Sequence, residues 1–151
     1  MKPVSAGFII RSAGKYLICH ATQTTKFEMD HIHWTISKGM VEENETSLNA
    51  AIRELKEETG IDLREDVQID GLEALIPHKI LPLMRKTIHA YFIDDPQGIL
   101  REKKLECTSM IDNENHRLFG YPEMDAYLWT DRGTAQSMVF DSHKSLFDDL
   151  P

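Results

Sequence analysis

Glu54, Glu57 and Glu58 stand three and four positions apart in the run Arg53-Glu54-Leu55-Lys56-Glu57-Glu58-Thr59-Gly60-Ile61. On an α-helix that spacing projects their carboxylates from neighbouring positions on one face. Crowded like charges repel, and hard divalent cations such as Mg²⁺ or Mn²⁺, which prefer oxygen ligands, relieve the repulsion. Arg53 lies four residues before Glu57 and can pair with it, fixing that carboxylate's direction. Upstream, Gly39 lets the backbone approach such a site closely, and Glu45 suits the positive end of a helix dipole. A bare Glu-x-x-Glu-Glu is commonly a solvated helix face. Gly39, Arg53 and Gly60 around it favour the catalytic reading.

The elements that must position these residues follow from the local pattern. Val4 to Ile10 and Tyr16 to Cys19 are apolar, β-prone runs, and Ser12-Ala13-Gly14-Lys15 between them predicts a hairpin turn. Residues 21 to 32, with Thr24-Thr25 and Asp30, read as a polar surface loop. Trp34 to Ile36 is a short strand-like run, and the segment from Gly39 is expected as a second loop. The helix itself is predicted to run to about Thr59, capped by Asn44 or Thr46, with Leu48, Ala51, Ile52 and Leu55 on its apolar face. Gly60 can end it in the left-handed conformation.

Beyond the helix, Val67 to Ile76 reads as a strand ended by Pro77, with Pro82 separating it from the next run. Met84 to Ile93 alternates, placing Ile88, Ala90 and Phe92 on one face and Arg85, Thr87, His89 and Tyr91 on the other. On that polar face Arg85 is a candidate to hold a phosphate and Tyr91 to stack a base, with His89 beside them. His31 and His33 could shape a pocket mouth. Residues 95 to 122 form a long excursion of mixed character, with a basic cluster at Arg101, Lys103 and Lys104. A last strand from Ala126 to Thr130 and a helical stretch from about Gly133 to Asp148 complete a layered domain of mixed helix and sheet.

At 151 residues, one domain spanning 1–151 is expected, large enough to bury roughly 70% of the surface its unfolded chain exposes. The formal charge of -8 argues against general binding to nucleic acid or anionic membranes. Two cysteines, Cys19 and Cys107, make no disulfide framework, and no transmembrane run or signal peptide is evident, so a cytoplasmic protein is the expectation.

From Gly39 through Glu45, Arg53-Glu54-Leu55 and Glu57-Glu58 to Gly60-Ile61, every defined position of the Nudix hydrolase signature is matched, and the chain resembles that family. Ser5-Ala6-Gly7-Phe8-Ile9-Ile10 is similar to the first strand of many members. The resemblance implies an α/β fold, a Nudix-type α/β/α sandwich with a mixed sheet. It implies hydrolysis of a nucleoside diphosphate linked to another moiety, with Mg²⁺ or Mn²⁺ held by Glu54, Glu57, Glu58 and the backbone carbonyl of Lys38. Arg53 would support them, and Glu58 or Glu123 would serve as base. Glu123 is singled out because Glu123-Met124-Asp125-Ala126-Tyr127-Leu128-Trp129 is similar to a segment of the diadenosine tetraphosphate hydrolase branch; Glu102, Glu106 and Glu114 are the competing carboxylates. Trp34-Thr35-Ile36-Ser37-Lys38-Gly39 also resembles that branch, departing at Ser37, where the branch usually has proline. The implied partner is a small nucleotide: a dinucleoside polyphosphate first, ADP-ribose or an FAD-like compound next. The alternatives are pyrophosphate removal from RNA 5′ ends, using the local basic cluster, and a non-catalytic nucleotide-binding regulator.

Overall fold

The N-terminal hairpin forms as β1 (Val4–Ser12) and β2 (Lys15–Ala21): β1 starts where the apolar run does and continues to Ser12, and β2 outruns its apolar run at both ends. Its turn residues Ala13 and Gly14 both have positive φ, 46° and 81°, the turn geometry whose twist matches that of the flanking strands. The computed structural model describes residues 2–22 and 34–151, so His31, His33 and nearly all of the polar loop placed at 21 to 32 lie outside the described residues.

β1 sits at the centre of a seven-stranded mixed sheet. It pairs antiparallel with β2 and with β4 (Ser37–Met40), and parallel with β6 (Thr87–Asp95). β3 (Trp34–Thr35) and β7 (Met124–Thr130) pair with β2, and β5 (Lys79–Pro82) is the edge beyond β6. Because β1 is covered on both faces, its sequence is a near-continuous apolar run rather than an alternating one. Ala6, Phe8 and Ile10 pack under α1 (Ser47–Thr59), while Ile9 joins Tyr16, Ile18, Ile36 and Ile88 on the opposite face. There they meet α2 (Arg132–Met138) and the 3-10 turn Asp141–Phe147 through Ala135, Val139, Leu146 and Phe147. Helix, sheet and helix make the α/β/α sandwich. Among the described residues, no helix is long and apolar enough to cross a membrane.

Several local expectations are corrected. No strand forms over 67–76: Gly71 turns into the left-handed region at φ 73°, and a 3-10 turn follows at Leu72–Ala74. The apolar residues there, Val67, Ile69, Leu72 and Leu75, serve the core under α1 instead of a ladder. Pro82, expected as a separator, ends a strand at the sheet edge, where its missing N–H costs nothing. Gly39 lies within β4, opposite Ala6, not in a loop. The C-terminal helix breaks at Val139, which is extended to bridge Trp34.

His143, in that last 3-10 turn, is 6% exposed, and among the described residues its Nε2 has no hydrogen-bond partner. Burial, with Lys38 and Lys86 adding repulsion, pushes its pKa down to about 4. The unfolded chain therefore takes up this proton at a higher pH than the folded one. Stability from this group is complete above about pH 6.5, falls as pH drops towards 4, and is flat below, a loss of up to about 3 kcal/mol. Glu58, whose pKa is raised, acts with the opposite sign over much of that window, so the comparison must be between variant and wild type. Melts of His143→Leu between pH 4 and 7 should show a shallower acid limb than wild type. An identical limb would remove His143 as its cause.

Candidate active site

Helix α1 is held at both ends as its sequence demands. Thr46 is the N-cap, its Oγ1 accepting from Asn49 N at 3.1 Å, while the other candidate, Asn44, occupies a left-handed turn position at φ 64°. Gly60 closes the helix at φ 82°, its N–H donating to the carbonyl of Lys56. The excursion then satisfies the last-turn carbonyls: Glu106 N donates to Thr59 O, and Thr108 N to Glu57 O. With Leu48, Ala51, Ile52 and Leu55 buried, the glutamates are turned towards β4.

Glu58 is the deepest of them, 2% exposed. Its Oε1 accepts from the hydroxyl of Ser37 at 2.8 Å and the backbone N–H of Lys38 at 3.0 Å. Burial nevertheless pushes its pKa up to about 8, with the charges of Glu54 and Glu123 adding to the effect and Ser37 opposing it. Glu54 is raised as well, by burial first and against the pull of Arg53. Gly39 explains how Glu54 fits: a Cβ there would stand 2.1 Å from the Glu54 carboxyl carbon. The strand offers that carboxylate its backbone surface only because the residue is glycine.

Arg53 organises the rest. Its Nη1 reaches Glu54 at 2.9 Å and Glu57 at 3.2 Å, and its Nη2 donates to the carbonyl of Met40 at 3.1 Å. The closest partner is Glu45, engaged in two bonds through Nε at 2.8 Å and Nη2 at 3.0 Å. Glu45 is thus the counter-ion that fixes the Arg53 fork, a role the helix-dipole reading did not contain, and Arg53 holds the Glu45 carboxyl below its usual range.

The donor set offered here is all oxygen, from Glu54, Glu57 and Glu58, with the Lys38 backbone on the adjoining strand. Two of these carboxyls are held above their ordinary pKa, by burial first and by neighbouring carboxylates in addition. That is the donor chemistry of a hard divalent cation. Among the described residues, no three acidic, histidine or cysteine side chains are already gathered at metal-binding separations. The reason is visible: Glu54 and Glu57 are turned onto Arg53, and Glu58 onto Ser37. A cation would compete with Arg53 for the first two.

Glu123 enters from the far side. Its N–H donates to Ser109 O at 2.8 Å, Ser109 Oγ donates to its Oε1 at 3.0 Å, and its carbonyl accepts from Thr22 N. It lines, together with Glu58 and Lys38, a recess of about 350 Å³. Glu102, Glu106 and Glu114 are exposed and do not line it. A larger recess of about 470 Å³, bordered by Asp70, Asp94 and Asp95, contains none of these residues, and its acidic rim is unsuited to phosphate.

The three expected substrate residues are not brought together there. Tyr91 is 4% exposed and packs on Phe8 with ring centroids 5.6 Å apart, so the base-stacking expectation is corrected: both faces of β6 are covered, and its alternation separates two cores rather than core from solvent. Arg85 is exposed in the turn before β6, which begins only at Thr87. His89 is half-buried with its Nδ1 2.9 Å from the Ser47 hydroxyl. Ser37, Ser109, Thr35 and His116 were not singled out for the site by pattern, although the unusual Ser37 before Lys38-Gly39 marked its own position. Of the basic cluster, Lys103 is paired with Asp66 at 3.2 Å.

Residues 1–137 match the NUDIX domain family. No curated protein matches the chain. Among solved structures it is similar to the E. coli dihydroneopterin triphosphate pyrophosphohydrolase, at 20% identity and TM-score 0.64 over 97% of this chain and 93% of that one. A C. elegans Ap4A hydrolase binary complex aligns at 21% identity and TM-score 0.63, over 96% and 92%. A bifunctional NMN adenylyltransferase/ADP ribose pyrophosphatase from Francisella tularensis, complexed with AMP and a Mn ion, aligns at 17% identity and TM-score 0.59 over 98% of this chain and 37% of that one. At such identities these likenesses speak for the fold. The family match, however, spans the whole sheet and the glutamate helix packed on its face, and on that ground the chain belongs to the Nudix hydrolases, pyrophosphohydrolases of nucleoside diphosphate derivatives that generally work with divalent metals.

Proposed function

We propose that this chain is a Mg²⁺- or Mn²⁺-dependent hydrolase of a small nucleotide, with dinucleoside polyphosphates as the first substrate class and ADP-ribose or FAD-like compounds next. The observation that carries the reading is the convergence of Glu58 on α1 and Glu123, the residue just before β7, on one recess. The resemblance of Glu123 to Trp129 to the diadenosine tetraphosphate branch supports the first class. Glu54, Glu57, Glu58 and the Lys38 carbonyl would hold the cation, which supplies charge neutralisation and an acidified water when bound.

The protein's own groups do the remainder. Arg53 orients Glu54 and Glu57. Glu58 or Glu123 takes the proton as water oxygen bonds to phosphorus, and the bridging P–O bond breaks with its electron pair leaving on the departing phosphate oxygen. Lys38, its pKa lowered to about 8 by burial and then by the neighbouring Lys86, lies behind β4 and adds its charge to that of Arg53 through coupling with Glu58 and Glu54. The test is a product-resolved panel of nucleoside diphosphate derivatives, with Mg²⁺ and Mn²⁺ in parallel and in isotopically labelled water. Metal-dependent cleavage of a dinucleoside polyphosphate, with label on one product phosphate, is the expected result. No product from any member with either ion would overturn the proposal.

A further inference from the structure

The recess beside Glu58 and Glu123 is lined by more than charge. Ile111, Met124 and Phe140 give it apolar walls, and Thr35 and His116 add polar groups that the hydrolytic chemistry does not use. A polyphosphate chain has no use for apolar walls, whereas a flat heterocycle is bound by such surfaces together with a few placed polar groups.

Thr35 is 3% exposed, yet among the described residues its Oγ1 has no hydrogen-bond partner. A buried hydroxyl left unsatisfied is unfavourable in the free protein and is the kind of exception that calls for a ligand. His116 is set differently. Its Nδ1 accepts from Leu118 N at 3.0 Å, so the neutral ring carries its proton on Nε2 and offers a donor there. The loop that presents it is closed on itself: Ile111 N donates to Tyr121 O, Gly120 N to Ile111 O, and His116 N to Asn113 O, each at 2.9 Å. The ring is therefore held in one orientation at the wall of the recess.

We infer that this recess receives the nucleobase of the substrate, with Thr35 and His116 as the specificity-determining residues that hydrogen-bond its edge. The inference rests on the proposed nucleotide hydrolysis for its substrate class, but its test does not depend on turnover. Binding of the four common nucleoside monophosphates and of ribose 5-phosphate is measured by calorimetry, without added metal, on wild type, Thr35→Val and His116→Ala. Wild type should bind at least one nucleotide roughly tenfold or more tighter than ribose 5-phosphate, since the base adds apolar contact and hydrogen bonds. Each substitution should weaken that nucleotide by roughly three- to tenfold, the value of one net hydrogen bond, with ribose 5-phosphate affected less.

Thr35→Val adds a second readout, because removing an orphaned buried hydroxyl should leave the melting temperature of the free protein unchanged or raise it. Equal affinity of wild type for nucleotides and ribose 5-phosphate would overturn the inference, as would nucleotide affinity untouched by both substitutions, or a Thr35→Val protein that melts markedly lower. Wild-type cleavage of the substrate panel alongside any of those results would leave the hydrolase reading standing and remove only the base site. Base-selective binding without cleavage of any panel member would do the reverse.

Discussion

Glu58→Gln should lower kcat roughly a hundred- to ten-thousandfold, the range expected when a positioned acid–base group is lost, and leave the fold in place. Glutamine has the same shape, and its Oε1 can still accept from the Ser37 hydroxyl and the Lys38 N–H, which hold the carboxylate in the native protein. It also removes the cost of charging a group that burial has pushed up to about 8, so the metal-free melting temperature should hold or rise. What is lost is the ability to carry negative charge towards a cation or to accept a proton from water. Circular dichroism and thermal melts report the fold, and initial rates on the substrate that emerges from the panel report the chemistry. Turnover within a few-fold of wild type, with the fold intact, would remove Glu58 from the mechanism. Glu123→Gln run in parallel apportions the base: the group whose loss also removes the acidic limb of the rate profile is the proton acceptor.

The part of the molecule that was legible in the sequence is the part whose residues act through chain-local geometry. The three glutamates, the Thr46 cap and the Gly60 stop are set by helix periodicity and end chemistry, and each appears where those rules place it. The turn at Ala13 and Gly14 is of the same kind. Long-range pairing was less accessible. Tyr91 alternates with Ala90 and Phe92 as a half-exposed strand would, but β6 lies beside β1 with cores on both faces, and nothing in its own residues announces the second one. Val67 and Ile69 are apolar because they pack beneath α1, a reason for hydrophobicity that a strand pattern shares. The recess was hidden for a similar cause. Thr35 from β3, Glu58 from α1, His116 from the excursion and Phe140 from beyond α2 come together only once the sheet is ordered.

That dependence on the sheet explains why β4 matters as much as α1. Ser37, Lys38 and Gly39 are consecutive, and the strand's alternation divides their work. Ser37 and Gly39 face the helix glutamates, and between them the backbone N–H of Lys38 also reaches Glu58. The side chain of Lys38 leaves on the opposite face, towards Lys86 and His143. A single four-residue strand thereby fixes two carboxylates and sets a lysine behind them, with Gly7 across the ladder leaving room for the Lys38 stem.

Gly39→Ala tests that division most sharply, and it should lower kcat/KM roughly a hundredfold with little change in stability. The backbone at Gly39 is ordinary strand, paired with Ala6, so alanine meets no conformational penalty. Its Cβ, however, would stand 2.1 Å from the Glu54 carboxyl carbon and 2.2 Å from Oε1. Those atoms are the end of a flexible side chain, which can swing aside at small cost to the fold. Swinging aside breaks the 2.9 Å contact with Arg53 and moves a proposed metal ligand by more than the tolerance of a catalytic constellation, where an error of about 1 Å costs roughly a hundredfold. Gly60→Ala is the counterpart. Its nearest non-neighbour atom is 3.5 Å away, so space is available, but its φ of 82° strains alanine. That change should cost about 1 kcal/mol, or about 2–4 °C in melting temperature, and leave kcat/KM nearly intact. Melts and initial rates on the pair should therefore separate, one substitution acting on rate and the other on stability. A Gly39→Ala enzyme with wild-type kcat/KM would show that catalysis does not depend on where Glu54 is held.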